Sequence, residues 1–141
     1  MPRQFIRIVN RLVNLEKAGV LELETGVKLY PSEIHMLLAL DDPGIEGFAG
    51  LVEYLSVTKG AVSQTLSRLV KKGLIEKHRR DIGDLSIRFS ADGRKALVQC
   101  KSFKAGLIGR LNPYFSGLSA EDEAVIKDFL DKVEENLANR P

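Results

Sequence analysis

The chain has 141 residues, 44% hydrophobic and 28% charged, with 21 Lys/Arg against 19 Asp/Glu and a single cysteine. That length suits one domain, or one domain with a dimerisation element. No apolar run approaches the ~18 residues of a membrane span, and the charged start MPRQFIRIVNRLVNLEKAG lacks the apolar centre of a secretory leader. The lone Cys100 excludes an internal disulfide framework and fits a reducing compartment, so the expectation is a cytoplasmic protein with no membrane partner.

Charge is unevenly spread. Between Lys59 and Lys95 there are ten Lys/Arg and four Asp/Glu, a local excess of +6 that leaves −4 for the remainder. A nearly neutral chain that gathers its positive charge in one middle segment has the pattern of a local polyanion site.

In chain order, Arg3 to Ala18 is expected to be a helix. Its apolar residues Phe5, Ile6, Val9, Leu12, Val13 and Leu15 share one stripe, and Gly19 stops it. VLELETGVKLYP follows as a connector, with Gly26 and Pro31 against a continuing helix. Ser32 is the expected cap of the short apolar helix EIHMLLAL, which DDPG ends. Next comes EGFAGLVEYLS, with Phe48, Leu51, Val52 and Leu55 on one face, and the turn SVT.

The segment VTKGAVSQTLSRLVKKG, residues 57–73, reads as a helix with Thr58 as N-cap and Gly73 just past its end. At 100° per residue Val62, Leu66, Leu69 and Val70 form the buried stripe; Gly60, Gln64, Ser67 and Lys71 lie opposite, flanked by Ser63 and Arg68. After Gly73 the apolar period changes to two. LIEKHRR and LSIRFS, joined through RDIGD, make a β-hairpin. Ser90 then caps a long helix running to about Leu111, where Asn112-Pro113 ends it. Ser119 opens the last helix, with acids in its first turn and a stripe through Val125, Ile126, Phe129, Leu130, Val133 and Leu137.

Two helices joined by a short turn make a helix-turn-helix, and a hairpin directly after it makes a winged helix. The fold class is therefore mainly α with a small β-hairpin wing. In such a unit the second helix enters the major groove. Gln64 suits a bidentate contact with adenine, Ser63 and Ser67 can reach base edges or phosphate, and Gly60 permits close approach, so these four are the candidate base readers. Thr58, Lys59, Arg68, Lys71, Lys77, Arg79 and Arg80 are candidates for the DNA backbone, with Lys72 beside them. A polar helix face by itself is commonly just a solvated surface. The adjoining basic hairpin is what favours nucleic acid.

The stretches YPSEIHMLLAL, GLVEYLSVTKGAVSQTLSRLVKKGLIEK and RFSADGRKAL resemble the MarR-type winged helix-turn-helix transcriptional regulators over Tyr30 to Leu97. VTKGAVSQTLSRLVKKGLIEK resembles the family's recognition helix and wing entry. FSADG resembles the Leu-Thr-x-x-Gly that closes the wing. The resemblance implies a homodimer through intertwined first and last helices, two recognition helices on a near-palindromic duplex, and a small-molecule or redox effector. Residues 1–29 would then be a dimerisation helix and connector, 30–97 the DNA-binding region, and 98–141 further dimerisation helices, all within one compact domain. Phe5, Ile6, Val9, Leu12, Val13, Phe129, Leu130, Val133 and Leu137 are the candidate dimer contacts. Their stripes are broader than a small winged-helix core needs.

Two departures stand out. Family wings often carry an Asp followed closely by a groove-entering Arg; here Ile82, Gly83 and Asp84 follow Asp81, and Arg79 and Arg80 precede it. The wing thus lacks its usual base-reading residue. The helix-turn-helix turn often has Gly where this chain has Ser56, which would be strained if left-handed.

Enzyme chemistry finds little support. His35 reads as a packed or interface residue and His78 as a wing residue near phosphate, while Cys100 reads as an inert buried thiol. No His/Cys cluster has metal-ligand spacing, no phosphate loop is present, and no cofactor is expected. The rival reading is a winged-helix module that binds protein instead of DNA.

Overall fold

The computed structural model describes residues 1–79 and 85–138. In chain order the elements are α1 (Pro2–Ala18), β1 (Leu21–Glu22), β2 (Lys28–Leu29), α2 (Pro31–Leu40), α3 (Gly47–Leu55), α4 (Lys59–Lys71), β3 (Ile75–Arg79), β4 (Leu85–Phe89), α5 (Ala91–Gly109), α6 (Asn112–Ser116) and α7 (Ala120–Ala138). This is the expected winged helix-turn-helix. The wing is the antiparallel pair β3–β4, in register from Ile75 opposite Phe89 to Arg79 opposite Leu85. Its tip, residues 80–84, lies outside the described residues. The chain divides into two compact units, Met1–Ser102 and Phe103–Pro141.

Local chemistry departs from the sequence expectations in four places. The connector holds a second, minimal hairpin: β1 pairs with β2, Leu21 opposite Leu29, and Gly26 closes the turn at φ +83°. Helix α2 begins one residue before Ser32, because Pro31 has no N–H to satisfy and its fixed φ suits a first helical position. Tyr30 is the N-cap, and the Glu33 side chain reaches back to accept its N–H at 3.2 Å. Pro113 does not merely end a helix; it sits in the first turn of α6. Finally, Val70 is exposed, while Thr65 is buried in its stead. Thr65 tolerates burial because its hydroxyl donates to the Ala61 carbonyl at 2.9 Å.

The first unit has one apolar core. Leu37 and Met36 of α2, Leu51 of α3, Val62, Leu66 and Leu69 of α4, and Ile75 of β3 meet Cys100 of α5 there. Burial pushes the Cys100 thiol up to about 11, so the thiolate that reacts with oxidants and alkylating agents is scarce at neutral pH.

The exit of α4 is tightly built. Gly73, at φ +72°, donates its N–H to Val70 O at 3.0 Å, and Leu74 donates to Leu69 O at 3.1 Å. These bonds form a Schellman cap with both leucines buried. The start of α5 is pinned to the same place. Ser90 donates its N–H to Leu74 O at 3.1 Å and its hydroxyl to Gly73 O at 2.6 Å, while its Oγ accepts the Gly93 N–H at 2.9 Å. A Cβ on Gly93 would lie 1.8 Å from Leu74 O, so only glycine fits. This explains the Ser-x-x-Gly spacing at the end of the wing.

Two outcomes follow. Gly93→Ala must move backbone, and a urea melt should show a loss of about 3 kcal/mol or more, against little change for Gly106→Ala. Cys100 should react with a thiol-specific dye far more slowly in the native protein than in denaturant. Equal rates would contradict its burial.

Candidate nucleic-acid interface

The turn into α4 carries strain. Ser56 adopts φ 53°, ψ 43°, the left-handed conformation that glycine would take without cost, and it is the one non-glycine with positive φ among the described residues. The price is about 1–2 kcal/mol, offset in part by its N–H bond to Glu53 O at 3.2 Å. Thr58 then caps α4 as expected, its Oγ1 accepting the Ala61 N–H at 3.1 Å. Helix and turn are thereby held at a defined angle to α3.

The polar face of α4 is open. Gly60, Ser63, Gln64, Ser67 and Lys71 are all exposed, as are Thr58 and Lys59 at its start. A shallow groove runs over Ser63, Gln64, Ser67, Arg68 and Lys71. From the wing, Lys77 reaches over with Nζ 3.4 Å from Ser67 Oγ. One strand of the hairpin thus adds its cation to the same surface. Four uncharged residues lie toward the centre of this face, and Lys59, Lys71 and Lys77 surround them. Such a layout offers hydrogen-bonding groups for a base edge inside a rim of positive charge for phosphates.

Several candidates are placed differently from expectation. Lys72 is not available to a DNA backbone: its Nζ lies 2.8 Å from Glu33 Oε1 and 2.7 Å from Glu33 Oε2, and it donates to Lys28 O at 2.7 Å. Sequence distance hid this pairing. Arg68 is exposed but leans towards α2, with one guanidinium nitrogen 3.0 Å from Thr65 Oγ1 and 3.4 Å from Ser32 Oγ. His78 sits beside Glu76, Nε2 to Oε2 at 3.4 Å, so a carboxylate already occupies its neighbourhood. The Arg79 side chain, Arg80 and the Asp81–Asp84 stretch lie outside the described residues.

His35 lies on the exposed side of α2, since Ile34 and Met36 on either side of it take the buried face. It lines a depression of about 570 Å³ together with Ser32, Tyr54, Gln64 and Arg68, over an apolar floor that includes Met36 and Leu55. The sequence offers Ser32 only as a helix cap, and it does not mark Tyr54 at all. The first turn of α2 and the last of α3 come beside Gln64 only through tertiary packing, so no local signal marks them. Among the described residues no group of three His, Cys, Asp or Glu could hold a metal ion, and no helix is long and apolar enough to cross a membrane.

Away from this face, α1 displays Ile6 and Leu12 at 58% and 55% exposure, with Phe5, Val9 and Val13 also exposed. The second unit is more extreme: none of its described side chains is buried. Phe129, Leu130 and Leu137 of α7 are half or more exposed, and Val133 is half-buried. The polar side of α7 is laced by Lys127–Asp131 and Lys132–Asp128 pairs at 2.8 and 2.7 Å, which raise both lysine pKa values through the hydrogen bond to each carboxylate.

Residues 48–84, which run from α3 through α4 and β3, match the MarR family model. No curated protein sequence shows a significant match to the chain. Among solved structures, Lactococcus lactis ZitR in complex with DNA is 18% identical, covering 97% of this chain and 97% of that one, with a TM-score of 0.72. Streptococcus pneumoniae FabT in complex with DNA is 20% identical over 98% and 95%, TM-score 0.70. Bordetella bronchiseptica BpsR, described by the regulation of its DNA binding by 6-hydroxynicotinic acid, is 20% identical over 96% and 93%, TM-score 0.63. The chain thus has the MarR-type winged helix-turn-helix fold along nearly its whole length, and its residues 48–84 match the MarR family model.

Proposed function

We propose that the chain is a sequence-specific, DNA-binding regulator of transcription that works as a cytoplasmic homodimer on a near-palindromic duplex and answers to a small-molecule effector. The observation that carries this reading is the exposed Gly60, Ser63, Gln64 and Ser67 face of α4 with Lys77 of the wing drawn against it. Gln64, Ser63 and Ser67 would read base edges, with Gly60 letting the helix come close. Thr58, Lys59, Arg68, Lys71, Lys77, Arg79 and Arg80 would hold the backbone. The role is one of binding, not catalysis.

The homodimer is supported by the apolar stripes. Phe5, Ile6, Val9, Leu12 and Val13 of α1, with Phe129, Leu130, Val133 and Leu137 of α7, suit burial against a second copy. A segment whose described residues include none that is buried has no core of its own to stabilise its helices. An effector is supported by the likeness to ZitR, a zinc-responsive MarR family member, and to BpsR, whose DNA binding is regulated by 6-hydroxynicotinic acid. In this chain the depression beside Gln64 and Arg68 is where a small molecule would compete with DNA most directly.

Selection of bound duplexes from a random pool at ~150 mM salt should enrich a two-fold symmetric motif with half-sites about one helical turn apart. On that motif Gln64→Ala should cost about 1–3 kcal/mol and relax preference at one base position, while Lys77→Ala should weaken all sequences alike and lower the salt slope by about 1. Equal loss on specific and random DNA for Gln64→Ala would remove its base-reading role. No binding even at low salt would hand the surface to a protein partner. Sedimentation at micromolar concentration should return twice the 15.6 kDa chain mass; a monomer would sink the dimer.

A further inference from the structure

The Glu33 carboxylate is wholly buried, at 0% exposure. It accepts the Tyr30 N–H at 3.2 Å and the Lys72 ammonium, whose hydrogen bond is directed to Oε1 at 2.8 Å while Oε2 lies 2.7 Å away. The same ammonium donates to Lys28 O at 2.7 Å and stands 5.2 Å from the centroid of the Tyr30 ring. One cation therefore ties together the start of β2, the first turn of α2 and the C-terminal cap of α4.

Stability alone does not account for this arrangement. A buried ion pair commonly does no better than apolar packing of the same volume, and its best-attested use is to specify one geometry among several. The core leucines of α4 hold it against α2, but an apolar contact tolerates sliding and rotation that a hydrogen-bonded pair does not. Lys72 follows directly on α4 and precedes the Gly73 that turns the chain away. Gln64 lies eight residues earlier on the same rigid helix, roughly 12 Å along its axis, so a tilt of about 10° pivoting at Lys72 would move it roughly 2 Å. Base contacts need placement within about 0.5 Å.

We propose that Glu33 and Lys72 are positioning residues for sequence reading: the pair sets the angle of α4 without touching DNA itself. This rests on the reading that α4 enters a DNA groove. Its electrostatic sign sets it apart from a simple charge effect. Glu33→Gln removes a negative charge and releases Lys72, which on charge grounds alone tightens binding to every sequence.

The test is the ratio of affinities for the selected motif and for random duplex, measured on full-length protein well below the melting temperature of each variant. Glu33→Gln is expected to lower that ratio roughly fivefold or more, the size of losing one base pair's readout. Lys72→Arg, which keeps a cation for the carboxylate, should stay near the original ratio, and Lys72→Met should lose it. A Glu33→Gln ratio unchanged from the original, with or without a lowered melting temperature, would overturn the proposal. If Glu33→Gln does not fold, equal ratios for Lys72→Arg and Lys72→Met would do so. If the unaltered protein selects no motif at all, it is the DNA reading that has failed, and the positioning role falls with it.

Discussion

The backbone of Leu74 is the fixed point of the winged helix-turn-helix. Its N–H closes the Schellman cap of α4, its carbonyl accepts the Ser90 N–H, and the Cα of Gly93 packs against that same carbonyl. The end of α4, the start of β3 and the start of α5 are thus specified by one residue's main chain. The hairpin leaves from this point and returns to it, so the direction of the wing is set at its base. Lys77 lies only three residues from Leu74, which is why a short strand can place its ammonium against Ser67.

Where the physics is local, sequence and structure agree closely. Thr58 and Gly73 bound α4 because a hydroxyl satisfies an N-terminal N–H and a glycine takes the left-handed turn, and both effects act within a few residues. The change of apolar period after Gly73 likewise announces β3 and β4. Ser56 does what its position suggested: it takes the left-handed conformation in the turn between α3 and α4 and carries the backbone strain.

The clearest misreading comes from partners far apart in the chain. Lys72 looked like one more exposed cation until α2 brought Glu33 beneath it, 39 residues away. Val70, expected in the buried stripe, is exposed because an ideal helical wheel cannot say where the stripe ends, and Thr65 is buried with its hydroxyl on the Ala61 carbonyl. The two-residue strands β1 and β2 are too short for any periodic signal. Sequence identities of 18–20% over nearly full coverage say the same of the fold as a whole. Core pattern and turn chemistry are enough to preserve it, while the surface side chains are free to differ.

The bare second unit has a further consequence. Free energy of folding is ordinarily a property of one chain, but a segment whose described residues include none that is buried gains its hydrophobic term only on association. On the homodimer reading, the order of α6 and α7 then depends on how many copies are present. Mass action enters the structure itself. The amount of protein a cell makes would decide not only how often the DNA is occupied but how much of each molecule is folded when it arrives.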